Sequence, residues 1–273
     1  MVETDAGGAL PRVVLICHAG DRMDAEGLAG WLATCFELVG VVQLWEQPGR
    51  FFTKLRREWK RVGLLRLLDV LAYRVYYRLR LKPHDAAWLE AELKRLRSRY
   101  PADLAGIPVL MAADPNAPAV RDFLRQRHPD MTIARCKFIL KPELLDIPSR
   151  GTYVLHPGIC PEYRNAHGCF WAFANRDLGR VGMTLLRADP GVDTGPMLLQ
   201  ASYRFDELRE SAHVVQYRVV LENLEAIRAS LMAVWQGSLS VLSKEGRRSA
   251  AWGQPQLSAY LRWKRAAARG KAA

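Results

Sequence analysis

The stretch RVVLICHAGDRMDAEGLAGWLATCFELVGVVQL, residues 12–44, decides the fold. Residues 12–17 are a β-branched apolar run of strand length. The turn-forming HAGDR follows, then a helical stretch from about Asp24 to Cys35, then a second apolar run, ELVGVVQL. Strand, loop, helix, strand is a βαβ unit and implies a parallel sheet covered on both faces. The glycines here do not spell GxGxxG, which weakens a nicotinamide-binding reading.

The alternation continues downstream. IPVLMAA (107–113) reads as a strand, APAVRDFLRQRH as a helix and MTIARCKFI (131–139) as a strand. KPELLDIP is a short helix stopped by Pro148, and TYVLHPG (152–158) is a strand running into a Pro-Gly turn. Asn165 to Asn175 reads as helix, with strands at VGMTLLRA (181–188) and GPMLLQASYRF. The longest helical pattern is 208–236, apolar at Val214, Val215, Val219, Leu221, Leu224, Ile227 and Leu231. The pattern predicts an α/β fold, a Rossmann-like doubly wound, mostly parallel sheet spanning 11–236. Ligands bind such sheets at the carboxyl ends of the strands, so the loops after residues 17, 113, 138, 156 and 188 are where the site belongs.

Composition excludes several classes. With 273 residues, 49% hydrophobic, 25% charged and mean hydropathy −0.12, the chain is neither disordered nor collagenous. The acidic start MVETDAGG does not read as a secretory signal, and no run of about 18 apolar residues suggests a membrane span. Five cysteines (Cys17, Cys35, Cys136, Cys160, Cys169) with no CxxC pair suit reduced cytoplasmic thiols. The net charge of +12 points to anionic partners and sits in two places. Residues 50–82 hold eleven Lys/Arg against Glu58 and Asp69, and the tail from Lys244 holds eight against Glu245. The remaining chain is close to neutral.

The densest polar cluster is HPGICPEYRNAHG (156–168), with ADPGVDTGP (188–196) downstream. His156 ends a strand and Asp193 lies in a Gly-flanked loop after another strand. Brought together, they make an acid/base pair in which the carboxylate orients the imidazole. The competing structural reading is a strand-capping His and an Asx-turn Asp. Cys160 and Cys169 read as packing residues.

At these residues the chain resembles the folate-dependent formyltransferases, a superfamily that includes methionyl-tRNA, glycinamide ribonucleotide and sugar N-formyltransferases and formyltetrahydrofolate hydrolase. KPELLDIPSRGTYVLHPGICPEYRN is similar to its central motif and VGMTLLRADPGVDTGPM to its second, in the same order; the likeness spans roughly 107–200. It implies a formyltransferase fold and transfer of a formyl group from 10-formyltetrahydrofolate to a primary amine. It further implies that an Asn and a His stabilise the tetrahedral oxyanion while an Asp tunes the His. The family His falls on His156 and the Asp on Asp193, but the Asn falls on Val154 and a further His position on Leu186. Valine has no side-chain donor. Losing one oxyanion donor costs on the order of 10²–10³ in rate. Asn165 and His167 are the substitutes within reach of the next helix start, Asn165 having N-cap as its ordinary role. The implied folate slot falls on Ile133, Phe138, Ile139 and Leu140 and on the loop residues Asp189, Gly191 and Val192. No metal site is expected.

The expected acceptor is a small or nucleotide-linked amine, anionic in view of the charge. The alternatives are a non-catalytic or divergent relative that binds folate or the acceptor, and a formyltetrahydrofolate hydrolase. Nucleic acid is not the expected partner: no RNA module is recognisable, and 237–273 is short for a tRNA-binding domain. The basic insertion 50–82 places Leu64, Leu67, Leu68, Leu71 and Val75 on one helical face and ends at Pro83. That face either meets an anionic membrane peripherally or packs on the sheet or on a second subunit as a homodimer. The tail 237–273 is expected to be a solvated, frayed terminus.

Overall fold

A computed structural model describes residues 9–45, 59, 63–238 and 240–272. Nine strands are formed among the described residues: β1 (Arg12–His18), β2 (Glu37–Leu44), β3 (Val109–Ala112), β4 (Met131–Arg135), β5 (Gly151–His156), β6 (Arg164–Asn165), β7 (Met183–Arg187), β8 (Met197–Ala201) and β9 (Ala251–Trp252). Seven make one sheet in the order β3-β2-β1-β4-β5-β7-β8, while β6 and β9 pair separately. Neighbours from β3 to β5 run parallel, and β7 is antiparallel to both β5 and β8.

The helices are α1 (Ala29–Cys35), α2 (Leu64–Tyr76), α3 (Lys82–Arg99), α4 (Pro118–Arg127), α5 (Pro142–Leu145), α6 (Gly168–Ala174), α7 (Ala212–Leu221), α8 (Leu224–Trp235) and α9 (Leu257–Ala272). Side chains alternate across each strand, so the sheet has two cores. Val13, Leu15, Tyr153 and Leu155 face Trp31, Leu93, Phe170, Val219 and Ile227 from the helices of one side. Val14, Ile16 and Val42 face Val120 and Leu124 of α4 and Leu144 of α5 on the other. The chain steps outward from β1 to β2 and β3, then returns to the other side of β1 for β4. At such a switch point, here the carboxyl ends of β1 and β4, sheets of this kind offer the crevice in which a ligand binds.

Several expectations are corrected. β4 stops at Arg135, not at residue 139, because the chain turns there and Lys137 N–H donates to His18 Nε2 at 3.2 Å. The 208–236 pattern is two helices. Its apolar period runs on unbroken, but Asn223 interrupts the backbone and its amide donates to Val219 O and Ser202 O. Helix α6 begins at Gly168, so Asn165 is in β6 and is no N-cap.

Pro83 does not end the basic helix. A π-helical turn, Tyr77–Leu81, places Pro83 in the first turn of α3, where its missing N–H costs nothing. Leu67, Val70 and Tyr73 are the buried residues of α2, whereas Leu64, Leu68 and Val75 of the anticipated face are exposed. Arg50 to Glu58 and residues 60–62 of the insertion lie outside the described residues. The basic tail is not frayed through its length either. Trp263 of α9 is fully buried and stacks on Phe173 at 4.4 Å and 9°. Lys264 donates to the carbonyls of Glu207 and Glu210, and burial pushes its ammonium pKa down to about 8.

Candidate active site

Strand β5 delivers His156 to its carboxyl end, buried at 5% exposure, and the following Pro-Gly turn reverses the chain. His156 Nε2 lies 2.8 Å from Tyr163 O. A carbonyl only accepts, so Nε2 carries the proton and Nδ1 is left as the lone-pair nitrogen of the neutral ring. Nδ1 lies 3.5 Å from Asp193 Oδ2. A Cβ at Gly158 would stand 2.6 Å from both His156 Nε2 and Tyr163 O, so the hydrogen bond that fixes the ring requires glycine there.

Asp193 is held from several directions. It sits at φ 51°, and its Oδ2 accepts the backbone N–H of Asn165 at 2.7 Å. Its loop is an Asx-turn, with Asp189 accepting from Gly191 N–H at 3.1 Å and from the Thr194 hydroxyl at 2.8 Å. Arg164 Nη1 donates to Val192 O at 2.8 Å. Lys244 donates to Thr194 O and, at 2.7 Å, to Gly195 O. Gly195 is obligatory, since a Cβ there would meet Arg187 O at 1.8 Å.

The two candidate substitute donors are placed differently from the expectation. Asn165, at φ 73°, directs its side-chain amide to Trp252 O at 2.5 Å, and it is the backbone N–H that reaches Asp193. His167, at φ 58°, pairs its Nδ1 with the Gln216 amide at 3.3 Å. Burial, helped by nearby Lys137 and His213, pushes the His167 pKa down to about 3, so the ring is neutral. Three of the five non-glycine residues with positive φ among the described residues, Asn165, His167 and Asp193, thus belong to this one cluster. Such backbone strain collects at functional sites.

The switch-point crevice adjoins β5. Arg135, at the end of β4, binds Asp24 at 3.1 Å and donates to Leu155 O at 2.8 Å. Burial pushes the Asp24 carboxyl up to about 6 against the pull of Arg135. Tyr217 donates to Asp21 at 2.7 Å, and Phe138 lies beside the His18 ring at 6.1 Å. Of the residues expected in a folate slot, Phe138 is half-buried, Ile139 is 57% exposed, and Leu140 is buried in the second core. Ile133 is a core residue of the first. Phe138 and Ile139 therefore keep apolar surface open to solvent, whereas Ile133 and Leu140 do not. Cys160 and Cys169 are buried, and burial pushes both thiols up to about 12, which leaves them as packing groups.

Sequence reasoning missed Tyr163 O, the Asn165 backbone, the Asp24–Arg135 pair and Lys244. The first two are main-chain groups with no residue signature. Lys244 belonged to a segment read as solvated.

Comparisons with known proteins follow the same lines. A family model described as formyl transferase matches residues 88–231, more than half of the chain. A methionyl-tRNA formyltransferase of Geobacter metallireducens is 33% identical over 142 residues, 51% of this chain and 44% of that protein. One from Microcystis aeruginosa is 42% identical over 81 residues, 29% of this chain and 25% of its own length. The chain thus matches less than half the length of these relatives. A sugar N-formyltransferase from Shewanella sp. superposes with TM-score 0.53 and 13% identity, over 93% of this chain and 87% of that one. A phosphoribosylglycinamide formyltransferase from Anaplasma phagocytophilum gives 0.52 and 16%, over 91% and 100%. At such identities the likeness speaks for the fold alone.

Proposed function

This chain belongs to the formyl transferase family, and from that membership we propose that it transfers a formyl group from 10-formyltetrahydrofolate to a primary amine on a small or nucleotide-linked, anionic acceptor. The observation that carries the reading is the pairing of buried His156 with half-buried Asp193, 3.5 Å apart at the carboxyl end of β5. The folate, when bound, supplies the formyl carbonyl. Phe138 and Ile139, with the Asp189–Val192 loop, are the residues that would hold it. His156 Nδ1 takes the proton lost by the attacking amine, because Nε2–H is engaged by Tyr163 O. The imidazolium formed then lies against the Asp193 carboxylate, which Asn165 N–H keeps in place, and gives its proton to the departing donor nitrogen as the original formyl C–N bond breaks. With the ring proton on Nε2, Nδ1 and the carboxylate share no hydrogen bond before the reaction, and the Nδ1 lone pair is kept for a substrate proton. The oxyanion takes a donor from Asn165 or His167: from the Asn165 amide once it releases Trp252 O, or from Nε2–H of His167, whose Nδ1 accepts from the Gln216 amide.

A second reading has its own observation. Val154 and Leu186 fill the positions of two family polar residues with apolar side chains, which favours a relative that binds folate or the acceptor without turnover, or one that only hydrolyses the donor. A single-turnover experiment with 10-formyltetrahydrofolate and a panel of amino-sugar nucleotides separates the three. Transfer predicts tetrahydrofolate release that requires the amine. Release without amine identifies a hydrolase, and binding without release a non-catalytic protein.

A further inference from the structure

Helix α2 and the π-turn after it carry apolar residues on two opposite sides. One side is Leu67, Val70 and Tyr73, buried, with Tyr73 against Phe170 at 5.5 Å and Tyr260 at 5.6 Å. The other side faces solvent. Leu64, Leu68, Val75 and Leu79 are 58%, 53%, 58% and 69% exposed, and Leu65 beside them is 83% exposed. At about 100° per residue these four fall within a narrow arc, roughly opposite the buried side. A surface helix normally keeps one apolar face and solvates the other. Here the outward face is a leucine stripe.

The charges around the stripe have one sign. Arg66, Arg78, Arg80 and Lys82 are exposed, and none is ion-paired with an acidic residue among the described residues. The single acid of the stretch 64–82, Asp69, accepts from the Ser258 N–H at 2.9 Å and from its hydroxyl at 2.5 Å, and it makes no ion pair with any of them, so the stretch keeps a surplus of positive charge. No helix among the described residues is long and apolar enough to cross a bilayer. An exposed apolar stripe bordered by unpaired cations is the pattern of a helix lying in a lipid interface, with leucines among the acyl chains and cations at the headgroups.

We propose that α2 and the π-turn dock the protein in-plane on an anionic lipid surface through Leu64, Leu65, Leu68, Val75 and Leu79, with Arg66, Arg78, Arg80 and Lys82 at the headgroups. Charge decides this against a second copy of the chain. A two-fold interface on this face would set four cations of each copy against those of the other, with Asp69 the single acid of residues 64–82 on either side. A bilayer of anionic lipid supplies the missing sign and the apolar phase together. The docked face is the one turned away from the core, so docking needs no opening of the fold.

Co-sedimentation with vesicles tests the proposal on the full chain. Binding to phosphatidylglycerol/phosphatidylcholine vesicles is expected at low salt, dropping about tenfold or more at high salt as screening shortens the reach of the charges. Vesicles of phosphatidylcholine alone should retain little. Leu65→Gln combined with Leu79→Gln should abolish binding to anionic vesicles, and so should Arg66→Glu with Arg78→Glu. Both pairs are exposed, so melting temperature and formyl transfer stay unchanged. No wild-type binding to anionic vesicles overturns the proposal, as does binding that both double variants retain. So does a concentration-dependent dimer, abolished by the leucine variants, in a protein that leaves vesicles alone.

Discussion

Val154 and Leu186 stand directly opposite each other across the antiparallel β5–β7 pair, two residues before His156 and two after Thr184. Both join Cys160 and Met197 in one small apolar cluster. The two positions at which the resemblance implies an Asn and a His are therefore one cross-strand pair, and in this chain that pair is apolar.

Val154→Asn alone should bury an amide against Leu186 and Met197 and cost about 1–3 kcal/mol. Leu186→His alone should behave similarly. The double variant should recover more than about 0.5 kcal/mol of the summed loss, because contacting residues couple. If the amide introduced by Val154→Asn reaches the oxyanion, formyl transfer in the double variant should rise, by up to about 10²-fold. Chemical denaturation of the four proteins in the cycle, with single-turnover rates, checks both parts.

His156→Ala and Asp193→Asn should each lower kcat by about 10²–10⁴-fold, with circular dichroism and melting temperature close to wild type. Activity within a few-fold of wild type in either variant would show that the pair is structural.

Asn165 separates backbone from side-chain function. Asn165→Gly keeps the φ of 73° and the N–H to Asp193, and loses only the amide bond to Trp252 O. It should stay within about tenfold of wild-type kcat if His167 supplies the oxyanion donor, and fall by about 10²-fold if the Asn165 amide does. Asn165→Val is strained at that φ and should displace the N–H from Asp193, with a drop of about 10²-fold or more. Equal losses in both would instead make the side-chain amide the working group.

His167 sets an acid limit on stability. Its pKa is about 3 in the fold against 6.5 for an ordinary histidine, so between these values the unfolded chain binds the extra proton. Stability contributed by the neutral ring is present above about pH 6.5 and is lost as pH falls toward 3. Thermal melts should show Tm falling from about pH 7 to about pH 4. In His167→Gln that slope should flatten.

Trp263→Ala should cost about 3–5 kcal/mol, a core-sized loss from a segment that composition marks as a basic tail. Its ring is fully buried and its Nε1–H donates to Glu207 at 2.9 Å. Urea denaturation gives the value.

What was legible in the sequence was whatever rests on local period and turn chemistry. The opening βαβ unit, α4 and the placement of His156 and Asp193 at strand ends all follow from apolar runs and Pro/Gly punctuation. Features set by distant partners were not legible. The α7–α8 break has no Gly or Pro to announce it, Pro83 is absorbed by a π-turn, and α2 buries Tyr73 where its leucines carried the stronger signal. Trp263 was masked by the eight cations spread through its segment, whose charge says nothing of where the aromatic ring goes.

The Asp193 loop is fastened by Lys244, and Asn165 is paired with Trp252, both roughly fifty or more positions further along the chain. During synthesis the sheet, complete by β8, has left the ribosome before either fastening exists. A nascent or truncated chain ending near residue 240 would thus have every strand of the main sheet, yet its carboxylate would be loosely held. Competence then arrives last, with the same terminal segment whose Trp263 completes the first core.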